Sequence, residues 1–394
     1  MRLYVVAPPG LEQVVGAELQ ALDIAGSIVK GGVEWEGEAA QLRLANLYLR
    51  CATRVLLRLG EFRARTFFEL ERHAARLPWD RVVSAARPVA LRVTSRKSKL
   101  YHEGAIEERL QAAMVRRSEA SFVPAHVDEE EGAADLQLIV VRVVRDEFTI
   151  SADSSGEALH RRGYRQAIGK APLRESLAAA LLHLAGWSGA TPLLDPFCGS
   201  GTIPIEAALL ARGIAPGIAS ASRASRQFAF TSWPEHDGTG WRAQVEAARA
   251  AVRDRPPAEI VGSDRDAGAI QLARSNAERA GVAGDIQWVR APLSSTVPGS
   301  PDTAVVTNPP YGVRVSAGRD VRDLWAALGR FLRERVPEGA AALLSPDPAL
   351  DGQLGFPLEV AGASRNGGIP VRVLVRRAPD RPEGAAPGES AASA

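Results

Sequence analysis

Val305-Val-Thr-Asn-Pro-Pro-Tyr311 ends an apolar run with a carboxamide, two prolines and an aromatic ring. Two prolines straight after a strand stiffen the loop, which fixes the Asn308 carboxamide oxygen and the Pro309 carbonyl as convergent acceptors. An exocyclic amine on a base has its lone pair delocalised into the ring. Acceptors on both of its N–H bonds localise that pair and ready it to attack an electrophilic methyl. Tyr311 offers a face on which a flipped planar base can stack. Asn308, Pro309, Pro310 and Tyr311 are the candidate catalytic residues. No dedicated base is needed, because the amine sheds its proton easily once methylated and cationic.

Two further motifs supply a place for the methyl donor. Leu193-Leu-Asp-Pro-Phe-Cys-Gly-Ser-Gly-Thr202 reads as a buried strand, a glycine turn and a helix start. Gly199 and Gly201 let backbone approach a ligand, Thr202 opens a helix with free N–H groups, and Asp195 can bind a cationic or hydroxyl-bearing group. Ile260-Val-Gly-Ser-Asp264 is a second strand ending in an acid, which is where a ribose diol is held. A nicotinamide site expects that acid about 20 residues after a G-x-G-x-x-G turn; here it comes 65 residues after Gly199, and the third glycine is missing. The plainer readings stand beside these: a tight turn at the glycines, and Asp264 as a helix cap with Asp266 strengthening the first turn. Cys198, inside the glycine turn, is badly placed for a covalent adduct with a pyrimidine and suits packing.

The elements around these motifs fall into two textures. Up to about residue 150 the pattern is α+β: a strand at Leu3–Val6, a helix face of Leu11, Val14, Val15, Leu19 and Leu22, a strand near Val33–Trp35, and a helix-like segment Ala39–Leu59. Val89, Leu91 and Val93 then alternate as a strand, Ile106, Leu110 and Met114 form a helix face, and Leu136–Val144 is a β-branched run. Beyond residue 155 strands alternate with full-length helices up to a hairpin whose arms flank Asn366-Gly-Gly368. That order predicts an α/β fold with a mostly parallel, doubly wound sheet and a terminal antiparallel hairpin. The segment 213–257 carries Trp233 and Trp241 and either covers the site or caps the sheet, the cap being preferred.

The chain has 394 residues and 48 basic against 46 acidic side chains, so a polyanion has to be recognised by local patches. Residues 81–120 hold nine Arg or Lys against four Glu, which makes Arg96, Lys97 and Lys99 candidate phosphate contacts. Arg161, Arg162 and Arg165, grouped around Tyr164, form a second candidate. Two cysteines and no Cys/His cluster leave neither a disulfide framework nor a structural zinc site and point to a reducing cytoplasm. No apolar stretch is long enough to span a bilayer.

Asp195-Pro-Phe-Cys-Gly-Ser-Gly-Thr202 followed by Asn308-Pro-Pro-Tyr311 resembles the S-adenosylmethionine-dependent methyltransferases that act on amino nitrogens. More narrowly, the chain is similar to the THUMP-domain RNA guanine methyltransferases. The likeness runs through Pro9-Gly-Leu-Glu12, Asn46-Leu-Tyr-Leu-Arg50, Arg96–Glu103, Gly156–Arg165, Ala171-Pro-Leu-Arg-Glu175 and Pro216-Gly217 to Phe228-Ala-Phe230. It implies a ferredoxin-like domain over 1–58, a THUMP RNA-binding domain over 59–152, a Rossmann-like methyltransferase domain over 153–377 and a disordered tail over 378–394. It also implies methylation of the guanine 2-amino group in ribosomal or transfer RNA, with S-adenosylmethionine as cofactor. Asp195, Phe197, Cys198, Gly199, Gly201, Thr202, Asp264, Arg265 and Asn308 would border that cofactor, and Asn308 to Tyr311 the base. One departure is the absence of an acid in Trp288-Val-Arg-Ala-Pro-Leu293, where many relatives hold the adenine amino group. The alternatives are an adenine-N6 methyltransferase on DNA or RNA, which shares the same loop, and a THUMP-type RNA-binding protein without catalysis.

Overall fold

In the computed structural model, the chain is described over residues 1–118, 120–124, 135–165, 173–218, 226–311 and 321–379. The expected tail lies almost wholly outside these residues.

The first half is one seven-stranded sheet. Its elements are β1 (Arg2–Val6), α1 (Glu12–Gln20), β2 (Ser27–Val29), β3 (Gly32–Glu36), α2 (Ala39–Tyr48), β4 (Arg54–Arg63), α3 (Phe67–Ala74), β5 (Val89–Arg96), α4 (Glu103–Val115), β6 (Gln137–Val144) and β7 (Glu147–Asp153). The strand order is β2-β3-β1-β4-β7-β6-β5. β4 pairs with β1 on one side and β7 on the other, Leu57 facing both Leu3 and Ala152. The division expected after residue 58 therefore runs through the middle of a strand, and the two small units share one hydrogen-bonded sheet.

The helix-like segment Ala39–Leu59 also divides differently. α2 ends at Tyr48, Leu49 turns extended with ψ at 121°, and the Glu18 carboxylate accepts the backbone N–H of Arg50 and of Cys51, 3.0 Å each. A carboxylate reaching across from α1 thus captures the chain as it leaves the helix, and the apolar run that follows joins the sheet. α3, which the periodicity does not single out, starts at a capping box: the Thr66 hydroxyl accepts from Glu69 N and the Glu69 carboxylate from Thr66 N.

The second half contains α5 (Glu175–Leu184), β8 (Leu193–Asp195), α6 (Thr202–Ala211), α7 (Gly238–Ala250), β9 (Ile260–Asp264), α8 (Ala267–Ala280), β10 (Gln287–Arg290), β11 (Ala304–Thr307), α9 (Val321–Glu334), β12 (Ala341–Ser345), α10 (Pro348–Gln353), β13 (Glu359–Asn366) and β14 (Ile369–Arg376). Its order is β10-β9-β8-β11-β12-β14-β13, parallel through β12 and antiparallel at β14. This is the doubly wound sheet with a terminal hairpin expected from the alternation. The order reverses between β8 and β11, and ligands in such sheets bind beyond the carboxyl ends of the strands at that reversal.

Polar side chains weld the halves together. Arg50 donates to the carbonyls of Leu209 and Ile214 at the end of α6, offsetting the negative end of its dipole. Arg162 donates to the carbonyls of Leu159 and Arg50 and lies 3.6 Å from Glu206, which also accepts from the Tyr164 hydroxyl at 3.0 Å. The described part of 213–257 faces the first sheet: Trp233 donates its indole N–H to Gln137 at 2.7 Å, and Arg43 and Ala40 of α2 bond Gln244 of α7. It therefore joins the halves.

Candidate active site

The strand ends at the sheet's reversal carry the residues singled out above. Asp195 closes β8 and is 1% exposed. Its Oδ1 accepts from the Thr307 hydroxyl at 2.6 Å and from the backbone N–H of Phe197 at 3.1 Å. Burial, with a smaller contribution from the charge of Asp264, raises its pKa to about 7 against the pull of those two donors. Asp264 ends β9. One of its oxygens takes Gly199 N at 3.1 Å and the other Asp266 N at 2.9 Å, so the acid braces the glycine turn. The helix cap that the plainer reading gave to Asp264 is made instead by Asp266, whose carboxylate accepts Ala269 N at 2.9 Å.

The turn itself needs its glycines. Gly201 has φ of +82°, and a Cβ there would come within 2.7 Å of the Trp288 ring and 2.9 Å of Ala273. Gly199 also has positive φ, but a Cβ there would meet nothing within 4 Å, so this part of the turn faces open space. No side chain caps the first turn of α6, which leaves its N–H groups for an anion. Asn276 of α8 holds the turn from behind by donating to Ser200 O at 2.9 Å. Phe197 is half-buried against the second core cluster, Thr202 is buried at the first helical position, and Arg265 is exposed beyond β9. Burial pushes the Cys198 thiol up, which keeps it a packing residue.

Asn308 follows β11 directly. Its Oδ1 is shut off from solvent and has no hydrogen-bond partner. Pro309 is buried, and the Pro310 carbonyl accepts the indole N–H of fully buried Trp325 at 3.3 Å, which anchors the loop to α9. Tyr311 is half-buried between the two core clusters, and its hydroxyl accepts from Asn366 Nδ2 at 2.8 Å. Residues 312–320, which follow the loop, lie outside the described residues. An open glycine turn with an uncapped helix start, a buried acid able to face a cationic ligand and an orphaned acceptor on the adjacent strand together fit S-adenosylmethionine next to an amine.

The basic candidates separate. Arg96, the last residue of β5, and Lys97 and Lys99 on the turn after it are exposed, and Asp146 braces that turn by accepting Lys99 N at 2.7 Å. Arg162 is 5% exposed and bonded internally as described, so it is corrected from RNA contact to structural junction. Arg165 is corrected likewise: it pairs with Glu175 at 2.9 Å and donates to Leu173 O. Arg161 stays part-exposed beside Glu157. Elsewhere, Glu18, Cys51 and His183 bring three potential metal ligands within 4.8 Å of one another. Both Glu18 oxygens already accept backbone N–H groups there, and Arg50 and Arg162 supply positive charge, so the group is a hydrogen-bonded junction. A shallow cleft bordered by Arg43, Arg81, Phe230 and Trp233 lies at the seam between the halves, away from the strand ends. Arg81 and Arg43 are paired there with Glu235 and Asp237.

Thr307, Asn276 and Asn366 escaped the sequence reading. Thr307 is adjacent to the loop motif, and Asn366 opens a turn already supplied with two glycines; those were the available signals.

Sheet order and site together define a class I S-adenosylmethionine-dependent methyltransferase. Residues 162–351 match the RMKL-like methyltransferase domain, and residues 2–56 match the RlmL ferredoxin-like domain. The chain is 32% identical over 372 residues to slr0064 of Synechocystis sp., assigned as an RNA methyltransferase, covering 93% of this chain and 94% of that protein. It is 34% identical over 391 residues to ribosomal RNA large subunit methyltransferase K/L of Syntrophotalea carbinolica, covering 95% of this chain and 53% of that one, so it spans about half of that relative. Among solved structures, SMU.472, assigned as a methyltransferase and crystallised with SAH, superposes with a TM-score of 0.84 at 27% identity over 97% of this chain and 99% of that one. A Listeria monocytogenes protein assigned as an N6-adenine-specific DNA methylase gives 0.82 at 31% identity over 96% of each. The chain belongs to the RlmKL-like methyltransferase family.

Proposed function

We propose that the protein transfers the methyl group of S-adenosylmethionine to the 2-amino group of a guanine in structured RNA, ribosomal or transfer, in the cytoplasm. The observation that carries the reading is the buried, unpartnered Oδ1 of Asn308 beside a complete cofactor turn. The names of the RNA-methylating relatives support RNA as the substrate. S-adenosylmethionine supplies an electrophilic methyl on a sulfonium. Asn308 Oδ1 and the Pro309 carbonyl accept the two amine N–H bonds, and the Tyr311 ring stacks on the flipped base. The resemblance gives 1–58 as a ferredoxin-like unit and 59–152 as a THUMP domain, with Arg96, Lys97 and Lys99 meeting phosphates.

The test is transfer of labelled methyl to RNA from a strain lacking the gene, followed by nucleoside digestion. N2-methylguanosine is the expected product. N6-methyladenosine would establish the second reading, which the Listeria relative's assignment favours. RNA binding without transfer would leave an RNA-binding protein.

A further inference from the structure

The tip of the terminal hairpin does not need an asparagine. Asn366 pairs with Ile369 at the end of the ladder, and Gly367 and Gly368 fill the loop with φ of +55° and +83°. Two left-handed residues make the tight turn that suits a hairpin, and glycine satisfies both positions. Asn366 stands on the strand side of that turn, 5% exposed, where strand preference runs against asparagine. One end of its carboxamide donates to the Tyr311 hydroxyl. The other end, Oδ1, is buried with no partner. Asn308 Oδ1 is in the same condition at the head of the same loop. Buried acceptors are almost always paired, and the exceptions call for a reason such as a donor that a ligand brings.

We propose that Asn366 is a specificity-determining residue for methyl transfer: its free carboxamide oxygen accepts the ring N1–H of the target guanine, and its other end holds the Tyr311 ring. The proposal rests on the guanine reading above. Guanine presents N1–H next to its 2-amino N–H, two donors side by side, which suits two acceptors. Adenine presents an acceptor at N1 beside its amino group and would set lone pair against lone pair.

2-Aminopurine separates the two contacts, since it keeps the 2-amino group and lacks the N1–H. The experiment measures single-turnover rates at saturating S-adenosylmethionine on an RNA carrying guanine or 2-aminopurine at the mapped target. The wild type, Asn366→Ala and Asn366→Asp are compared, with cofactor affinity measured by calorimetry to show that each site is folded. The wild type is expected to prefer guanine at least about tenfold, the cost of one lost hydrogen bond to a buried acceptor. Asn366→Ala frees the Tyr311 hydroxyl and so slows both substrates, but it loses at least about tenfold more rate on guanine than on 2-aminopurine, and the ratio falls toward one. Asn366→Asp keeps an acceptor and keeps the preference. An equal fall on both substrates in Asn366→Ala, with the ratio intact, overturns the proposal and leaves Asn366 shaping the loop alone. A wild-type product other than N2-methylguanosine overturns the guanine reading itself, and this role falls with it.

Discussion

Thr307 donates its hydroxyl to Asp195 across the reversal of the sheet, joining the last residue of β11 to the last residue of β8. One short bond thus links the acid of the cofactor turn to the strand that presents Asn308. The bond also favours the ionised form of a carboxyl that burial drives toward neutrality.

With its pKa near 7, Asp195 would make cofactor binding depend on pH if it meets S-adenosylmethionine as the resemblance implies. The ionised acid attracts the cationic groups of S-adenosylmethionine, so affinity climbs about tenfold per pH unit below 7 and levels off above it. Asp195→Asn binds more weakly and with a flat profile. The sign for the ligand-free fold is opposite. Because the folded pKa lies above the unfolded value of 3.8, the unfolded chain ionises first and stability falls as pH rises from 3.8 toward 7. Calorimetry and thermal melts across roughly pH 5 to 9 measure both.

Thr307→Val removes a donor to that carboxylate. The midpoint of the cofactor-binding profile moves upward by about one pH unit, since a hydrogen bond to a charged group contributes about 1.5–3 kcal/mol. An unmoved midpoint would show that the hydroxyl does not govern the acid.

Asn308→Ala removes the buried, unpartnered oxygen proposed to accept from the reacting amine. Removal of one such preorganised group lowers kcat about 10²- to 10³-fold. Cofactor affinity stays within about twofold, within ordinary context effects for a site left intact. Single-turnover transfer and calorimetry separate the two.

Arg162→Met and the pair Lys97→Ala with Lys99→Ala should part company. Arg162 and Glu206 have fully buried side chains, and breaking such a pair from one side costs about 3–5 kcal/mol; thermal melts read that loss. The lysine variants leave the melt unchanged and weaken RNA binding, with the slope of log affinity against log salt falling by about one for each phosphate no longer neutralised.

What the sequence made legible was the part written in local spacing. The helix bounds Asp266 and Gly281 were readable because a cap residue and a left-handed glycine announce them. The glycine turn after β8 and the end of β11 before Asn308 were readable as elements because their residues are contiguous. The end of α2 was not, since a glutamate about thirty residues earlier in the chain decides it. Arg162 looked like a phosphate contact for a related reason: a run of arginines has the same composition on a surface and inside a junction, and only the distant Arg50 carbonyl and Glu206 tell them apart. Asn366 and Tyr311 are 55 residues apart and no local pattern joins them.

The β4 strand carries one last consequence. Since it belongs to both parts of the first sheet, and that sheet is bolted to α6, the exposed turn at Lys97 and Lys99 and the acceptor at Asn308 are two marks on a stiff ruler. An RNA held as proposed, with its phosphates at the first mark, would have its reactive nucleotide chosen at the second by how its own strand bridges the gap. Under that proposal, selection of position becomes a matter of measured length in the folded nucleic acid.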